Sequence, residues 1–548
     1  MEKLQKFITS NPDKITILGL CLLFYLIFFH NIWAYPLMDA DETRYVSMAR
    51  DMFQNKEYLT LYLNGEYFFE KPPLFFWIEN LSFLIFGKVN EFTARFPVAF
   101  LGTSICFLVY FMGKKIVSRS YGIISAIILA TSIEFSMLSK LAMLDIVVSA
   151  FIALSLCFGI AIYFCRESRK KYYWWLFYIF SALAVMAKGI PGFVIPFGSM
   201  FFIAIYAKKF KELFKPIYII PGIIFFLLIT LPWHLIMFKM HNPLFWDEYI
   251  IKHHLSRFLG SEEIDRAQPF YFYLITLLWG FCPWIISCAT VWSSKIKIFF
   301  TTLSLEDTKH RFLAYNAIIV LFTLIFFSIS ETKLVTYILP LYPALACLGG
   351  YVWWNYITYK KDERIINTTN YILGTIGICA AICGILTPIY LPQQLLIDIG
   401  STKTFCVLVA FACGLSLILF TKKKQYIGAF ASLVIFITLF SAIATEKFFQ
   451  IDYKFGQYDL MEFAKIAEKK QVGLTTFKFG TKYSLIYYGQ MPVTYGPQAE
   501  IWDLNQALEQ KNNFVIIKNK DLKKIKNDNF DIIKTGRKYT LLEEKGIK

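Results

Sequence analysis

Apolar runs near the roughly 20 residues that a helix needs to cross a bilayer recur along most of this 548-residue chain, each bounded by a short polar or basic stretch. The pattern predicts thirteen spans, at about 15–34, 92–112, 121–138, 144–164, 172–187, 190–207, 217–238, 270–292, 312–330, 334–354, 371–391, 404–421 and 426–445. Lipid offers no partner to backbone N–H and C=O groups, so these spans must be helices. Past residue 445 the pattern changes. Asp459–Lys470 has helical spacing, Val472–Phe477 and Met491–Tyr495 read as strands, Trp502–Gln510 as a helix, and Phe514–Ile517 and Tyr539–Glu543 as strands. The expected fold is a polytopic α-helical membrane domain over 1–445, with amphipathic outward helices within 39–91, followed by a small α/β domain over 446–548.

Composition supports this division, with 57% hydrophobic and 17% charged residues. The net charge of +17 is carried largely by short clusters such as Lys114-Lys115-Arg119, Arg166-Arg169-Lys170-Lys171, Lys208-Lys209-Lys211-Lys215 and Lys422-Lys423-Lys424. If the spans alternate, these clusters share one side with Lys3, Lys6 and Lys14. The positive-inside rule makes that side cytoplasmic and turns the intervening loops and the C-terminal domain outward. Charge scattered over loops, not gathered into one patch, argues against nucleic acid as a partner. The first apolar run has no small-residue cleavage site after it and reads as a retained span. The eleven cysteines lie in or beside apolar runs and read as small core residues.

Candidate chemistry concentrates in the first outward loop. Asp41-Glu42-Thr43-Arg44 opens a stretch where Tyr45, Met48, Ala49, Met52 and Phe53 recur at helical spacing, which predicts an amphipathic helix lying on the membrane surface. Asp41 and Glu42 stand at its N-terminus, where the helix dipole favours carboxylates. The competing reading makes Asp41 an N-cap with Arg44 as its surface partner. Farther on, Pro72 and Pro73 suit the first turn of a helix running toward Phe86, which puts Lys71 at a positive helix end. A bound phosphate resolves that conflict, as does neutralisation by Glu70.

Asp145 begins an apolar helix and is a functional candidate on that ground, unless it serves an ion pair with Lys140 or Arg44. The 239–269 loop carries His241, His253, His254 and Arg257. Adjacent histidines diverge on a helix, so a two-histidine metal site is not expected, whereas one histidine with Glu70 is a candidate cation pair. The guanidinium fork of Arg257 suits an anionic headgroup. Lys333 and Tyr337, at the start of a span after a short outward turn, fall on the same face, where tyrosine also serves as a membrane-interface residue.

Taken together, Asp41-Glu42-Thr43-Arg44-Tyr45, Phe69-Glu70-Lys71-Pro72, Ala94-Arg95-Phe96, Leu144-Asp145, His254 to Phe258 and Lys333 to Pro340 resemble the motifs of bacterial aminoarabinose transferases that modify lipid A. Those enzymes belong to the GT-C class together with protein O-mannosyltransferases. The resemblance implies an inner-membrane enzyme with thirteen spans and a periplasmic α/β domain. It implies a donor sugar on undecaprenyl phosphate, a lipid A phosphate as acceptor, and inversion at the anomeric carbon. It makes Asp41 the principal catalytic carboxylate, with Glu42 beside it and Asp145 toward the sugar. Lys71, Arg44 and Tyr337, joined by Arg257 and Lys333, become donor-phosphate contacts. Glu70 and His254 become a cation pair with zinc as the candidate ion, although no cofactor is obligatory. Pro73 and the Phe68-Phe69 pair depart from the motif and leave the sugar open. A protein hydroxyl acceptor is the alternative within the enzyme class. A lipid or sugar transporter is the alternative outside it, against which stand the one-sided charges and the lack of an internal repeat.

Overall fold

The computed structural model describes residues 12–256, 268–301, 307–390, 393–444, 447, 456–497, 499–501, 503–509, 512–525 and 529–545. Nine helices among them are long and apolar enough to cross a membrane, with shorter apolar helices at Leu74–Phe86, Arg119–Ala130 and Pro191–Tyr206. Each expected span falls on a helix or on consecutive helices. The 121–138 span breaks into Arg119–Ala130 and Ile133–Leu138, and the 270–292 span into Phe272–Gly280 and Trp284–Thr301. Pro283 accounts for the second break, since proline cannot donate to the helical ladder.

Burial separates lipid-facing helices from central ones. Only 17% of the most apolar window of Pro216–His241 is buried in protein, and Ile217, Ile220, Ile224, Leu228 and Leu235 are exposed on it. Leu144–Ala161, with 78% of its window buried, lies inside the bundle. Helices Glu91–Ile116 and Arg119–Ala130 meet backbone to backbone at Gly122, where a Cβ would stand 2.5 Å from the Tyr110 carbonyl oxygen. A small residue permits that approach.

The outward loop is a folded unit. Helix Asp41–Asn55 buries Tyr45, Val46, Met48, Ala49 and Met52, but against protein, not the membrane surface as expected. Tyr45 meets Phe75 and Phe76 of helix Leu74–Phe86, with ring centroids 5.7 and 6.1 Å apart. Between these helices a hairpin pairs β1, Tyr62–Leu63, with β2, Glu66–Tyr67. Asn64 and Gly65 both have positive φ there, at 58° and 85°, the conformation that an Asn-Gly hairpin turn requires.

The C-terminal domain is a five-stranded sheet of β3 (Gly473–Thr476), β4 (Val493–Tyr495), β5 (Asn513–Lys518), β6 (Phe530–Thr535) and β7 (Tyr539–Glu544), ordered β4-β3-β5-β7-β6. The β3 strand pairs parallel with β4 and β5, whereas β7 pairs antiparallel with β5 and β6. Along β5, Phe514 and Ile516 join a cluster with Leu460 and Phe463, while Val515 and Ile517 join Leu504 and Leu508 on the other face. Period-two alternation with both faces covered gives an α/β layer structure.

This domain docks on the outward loop. Arg50 donates to the Tyr487 carbonyl at 2.6 Å, and Asn64 exchanges two hydrogen bonds with the Val493 backbone, at 2.9 and 2.7 Å. Asp39 accepts from the Ser484 N–H at 2.8 Å and from its hydroxyl at 2.7 Å.

Candidate active site

Charge in an apolar bundle has to be placed, and two helix ends do so here. Asp145 lies in the first turn of Leu144–Ala161 and Lys188 in the last turn of Glu167–Lys188. Each charge therefore sits at the helix pole that favours it. Gly189, at φ 89°, lets the chain turn away at once after Lys188. Lys188 and Asp145 form a salt bridge, and the Lys188 ammonium stands 4.7 Å from the centre of the Tyr337 ring. These three residues share a cavity of about 470 Å³ with Lys71 and His253. Ile152, Ile190, Val194, Phe326 and Phe327 make its apolar walls.

Lys71 is buried and donates to the Glu70 carbonyl at 3.0 Å, while the Glu70 carboxylate lies 4.0 Å from its ammonium. The Glu70 carboxylate also faces His253 Nδ1 at 3.9 Å, and Glu248 faces Nε2 at 3.4 Å. A second group adjoins this one. Asp41, half exposed, accepts from Arg44 at 2.9 Å, and Arg44 also donates to the Tyr45 hydroxyl at 3.1 Å. The Arg44 guanidinium lies 4.8, 6.0 and 5.8 Å from the ring centres of Tyr45, Phe68 and Tyr483. Burial pushes the Tyr45 phenol above its ordinary range; Arg44 opposes the rise, and the charges of Asp41, Asp145 and Glu70 add to it. Those carboxylates thus lie within electrostatic reach of one hydroxyl. The segment Phe68–Lys71 connects the two groups, with Phe68 against Arg44 and Lys71 on the cavity wall.

Such a site joins an apolar slot to a cationic head, which suits a lipid-linked anion. A family profile described as dolichyl-phosphate-mannose-protein mannosyltransferase matches residues 14–247. An uncharacterized protein of Aquifex aeolicus (strain VF5) is 30% identical over 358 residues, covering 65% of this chain and 67% of that protein. The undecaprenyl phosphate-alpha-4-amino-4-deoxy-L-arabinose arabinosyl transferase of Pectobacterium carotovorum subsp. carotovorum (strain PC1) is 26% identical over 411 residues, 72% of this chain and 70% of that enzyme. The fold is that of ArnT from Cupriavidus metallidurans, crystallised bound to undecaprenyl phosphate, with a TM-score of 0.77 at 16% identity over 96% of this chain and 97% of that one. The chain belongs to the aminoarabinose transferase family. This family groups with the protein mannosyltransferases, and the chain is a multi-pass membrane glycosyltransferase.

Several residues expected at the transferase site are placed differently by the structure. Glu42, expected beside Asp41 as a catalytic carboxylate, is taken up in structural hydrogen bonds. Its two oxygens accept from Arg95 at 2.9 and 2.8 Å, from the Ala142 N–H at 2.6 Å and from the Met38 N–H at 2.9 Å, and both side chains are buried. Arg95 in turn donates to the carbonyls of Ile32, Tyr35 and Pro36, so this pair fixes the loop that presents Asp41. The N-cap of the Asp41 helix is Ala40, without a side-chain cap, which leaves Asp41 outside the capping role. Arg44 is not on the cavity wall and acts as the partner of Asp41. Lys333 is not on the cavity wall: it donates to the carbonyls of Gln268 at 2.9 Å and of Ser330, itself a lining residue, at 2.5 Å, which ties its ammonium to the backbone.

The partner of Asp145 is Lys188, not Lys140 or Arg44; Lys140 is taken up by the Ser441 carbonyl at 2.6 Å. Arg257 and the side chain of His254 lie outside the described residues. Among the described side chains His253 lies beside Glu70, and the described residues contain no group of three His, Cys, Asp or Glu side chains arranged for a metal ion. Glu70 and His253 together offer two ligands, fewer than the three or four that hold zinc. In the pair expected to hold the cation, Glu70 with His254, the histidine side chain falls outside the described residues.

Proposed function

We propose that the protein transfers an amino sugar of the 4-amino-4-deoxy-L-arabinose type from undecaprenyl phosphate to a phosphate of lipid A, inverting the anomeric carbon. The observation that carries this reading is the largely apolar cavity whose lining also includes Lys71, Asp145, Lys188, His253 and Tyr337. A prenyl chain and its phosphate need those two environments side by side. Relatives named for undecaprenyl phosphate and aminoarabinose support the donor, and the family resemblance supplies lipid A as acceptor.

In the transfer, the bond from the anomeric carbon to the carrier phosphate breaks, and its electron pair leaves with undecaprenyl phosphate. An acceptor phosphate oxygen forms the new bond from the opposite face. Lys71 and Lys188 offset the charge that gathers on the departing phosphate. Asp41, held by Arg44, orients the acceptor. A phosphate oxygen is already ionised near neutral pH, so positioning outweighs base strength. Asp145 holds Lys188 and borders the sugar.

Purified protein in proteoliposomes, given undecaprenyl phosphate-linked aminoarabinose and lipid A, should yield lipid A heavier by one aminoarabinosyl group in mass spectrometry. Transfer to a protein hydroxyl instead, or movement of the donor without a new glycosidic bond, would overturn the reading. On this reading the N-terminus is cytoplasmic, and the site and C-terminal domain face the periplasm. Cysteines placed at the exposed positions 56 and 509 of a cysteine-depleted protein should label from outside, and one at exposed position 169 only after permeabilisation.

A further inference from the structure

We propose that a second cavity, about 670 Å³ in volume on the C-terminal domain, binds the phosphate-bearing headgroup of the acceptor before transfer. The inference rests on the proposed function for the identity of the acceptor. Lys482, Lys518, Lys520, Arg537 and Lys538 line this cleft, and no carboxylate does. Among the described residues, none of the four lysines lies within ion-pair distance of an acidic side chain. Neighbouring acids are engaged elsewhere, Asp521 with Lys524 and Glu462 with Lys534. The four lysines around one concave surface repel one another, and their field is focused by the cleft walls. An anion relieves that repulsion.

The cleft is also built. Asp459 accepts the backbone N–H groups of Arg537, Lys538 and Tyr539 at 3.1, 2.7 and 3.0 Å. Asn519 donates to the carbonyls of Gly536 and Arg537 at 3.0 and 3.2 Å. A Cβ at position 536 would stand 2.3 Å from Asp459 Cγ, so glycine is what lets the carboxylate come under the turn. Arg537 and Lys538 therefore project from a turn fixed from beneath.

Its rim leads to the active site. Lys482 precedes Tyr483, whose ring lies 5.8 Å from the Arg44 guanidinium, and Ser484, which holds Asp39. A phosphorylated sugar headgroup seated among the five cations lies beside the chain segment that meets Arg44, the partner of Asp41. Lysines supply point charges for phosphate and Arg537 a planar fork.

The triple variant Lys518→Ala/Lys520→Ala/Lys538→Ala in the full-length protein tests this. Two probes are used, the deacylated bisphosphorylated glucosamine disaccharide of lipid A in a binding titration and intact lipid A in the transfer assay. The variant should bind the disaccharide at least about tenfold more weakly, a loss that a few charge-assisted contacts can account for. Its KM for lipid A should rise in parallel while its KM for the donor stays unchanged. Lys→Arg at the same three positions should restore binding, and Lys88→Ala, at an exposed lysine outside the cleft, should bind as the wild type does. Equal disaccharide affinity of wild type and triple variant would overturn the proposal. So would a KM effect confined to nanodiscs containing phosphatidylglycerol and absent from phosphatidylcholine nanodiscs, which would assign the cations to bilayer phosphates. A wild type that binds the disaccharide yet modifies no lipid A would overturn the assigned acceptor and leave the cleft standing.

Discussion

Lys188 and Asp145 close a salt bridge between the end of helix Glu167–Lys188 and the start of the preceding helix, Leu144–Ala161, on the wall of the apolar cavity. The pair places a cation where lipid alone would not tolerate one, and the ring of Tyr337 covers it. Lys188→Ala should therefore lower kcat/KM for the lipid-linked donor by about 10²-fold, the scale of losing one donor aimed at developing charge. The same change at exposed Lys88 should have no comparable effect. Adding Asp145→Ala to Lys188→Ala should cost less than the sum of the single changes, because the two act as one unit. Steady-state kinetics on the four proteins of the cycle decide this; strict additivity would separate the two residues.

Asp41 and Glu42 are adjacent acids with opposite expected phenotypes. Asp41 is half exposed with Arg44 as its partner, so Asp41→Asn should reduce transfer on the order of 10²-fold or more while the amount of folded protein stays at the wild-type level. Glu42 is buried among four donors, and Glu42→Gln leaves Arg95 without its counter-charge, a loss of roughly 3–5 kcal/mol in stability. Gel filtration and thermal unfolding in detergent separate the two outcomes. Normal folding of Glu42→Gln with lost turnover would return Glu42 to the chemistry.

Much of this arrangement was legible in the sequence because charges next to apolar spans need a reason. Asp41, Lys71 and Asp145 stand out on that ground. Lys188 carried an equally clear signal, a lysine in a very short turn on the outward side, where basic residues are disfavoured; it was masked by its place at the edge of a span. The approach of His253 to Glu70 was not legible. The segment Trp246–Ser256 winds as a π-helix, which changes the angular step between neighbouring side chains. Helical periodicity correctly marked one face of Asp41–Asn55 as buried but could not say that protein, not lipid, covers it. In the C-terminal domain, Tyr483–Gly489 is helical despite two consecutive tyrosines and an isoleucine, because docking on the outward loop overrides local preference. The exposed edge strand β6 lacks the apolar alternation that marks the other strands. The Asn64-Gly65 turn, by contrast, was readable as a hairpin signal and was missed.

Glu79 links stability to pH. It is fully buried in Leu74–Phe86, a 13-residue helix too short to span, and neither carboxyl oxygen has a partner among the described residues. Burial pushes its carboxyl well above the ordinary range, and the charge of Glu42 adds to the rise. The folded protein therefore keeps a proton that the unfolded chain loses, so this group costs stability progressively as pH rises above the ordinary carboxyl value. Glu79→Gln, neutral at every pH, should unfold at a higher temperature than the wild type at pH 8, and the gap should shrink toward pH 4.5. Thermal unfolding across that range checks the slope; a gap independent of pH would mean that Glu79 is ionised in the fold.

The last expectation concerns the cation implied at Glu70. His253 lies between two carboxylates, with Glu70 on Nδ1 at 3.9 Å and Glu248 on Nε2 at 3.4 Å. The two ring nitrogens point away from each other, so one ion cannot take both carboxylates through this imidazole. What the arrangement does instead is hold Glu70 beside Lys71, whose ammonium is 4.0 Å from the same carboxylate oxygen. Glu70 then positions Lys71, and the phosphate of the donor meets a lysine already fixed in place. Exhaustive chelation should leave the transfer rate unchanged, because the proposed steps run through Lys71, Lys188 and Asp41. Glu70→Gln should raise the KM for the donor, and His253→Ala should do so to a lesser degree through the loosened carboxylate. Stoichiometric zinc in the purified protein, with activity lost on its removal and restored by zinc alone, would show that ligands beyond this pair complete a metal site and that Glu70 serves it.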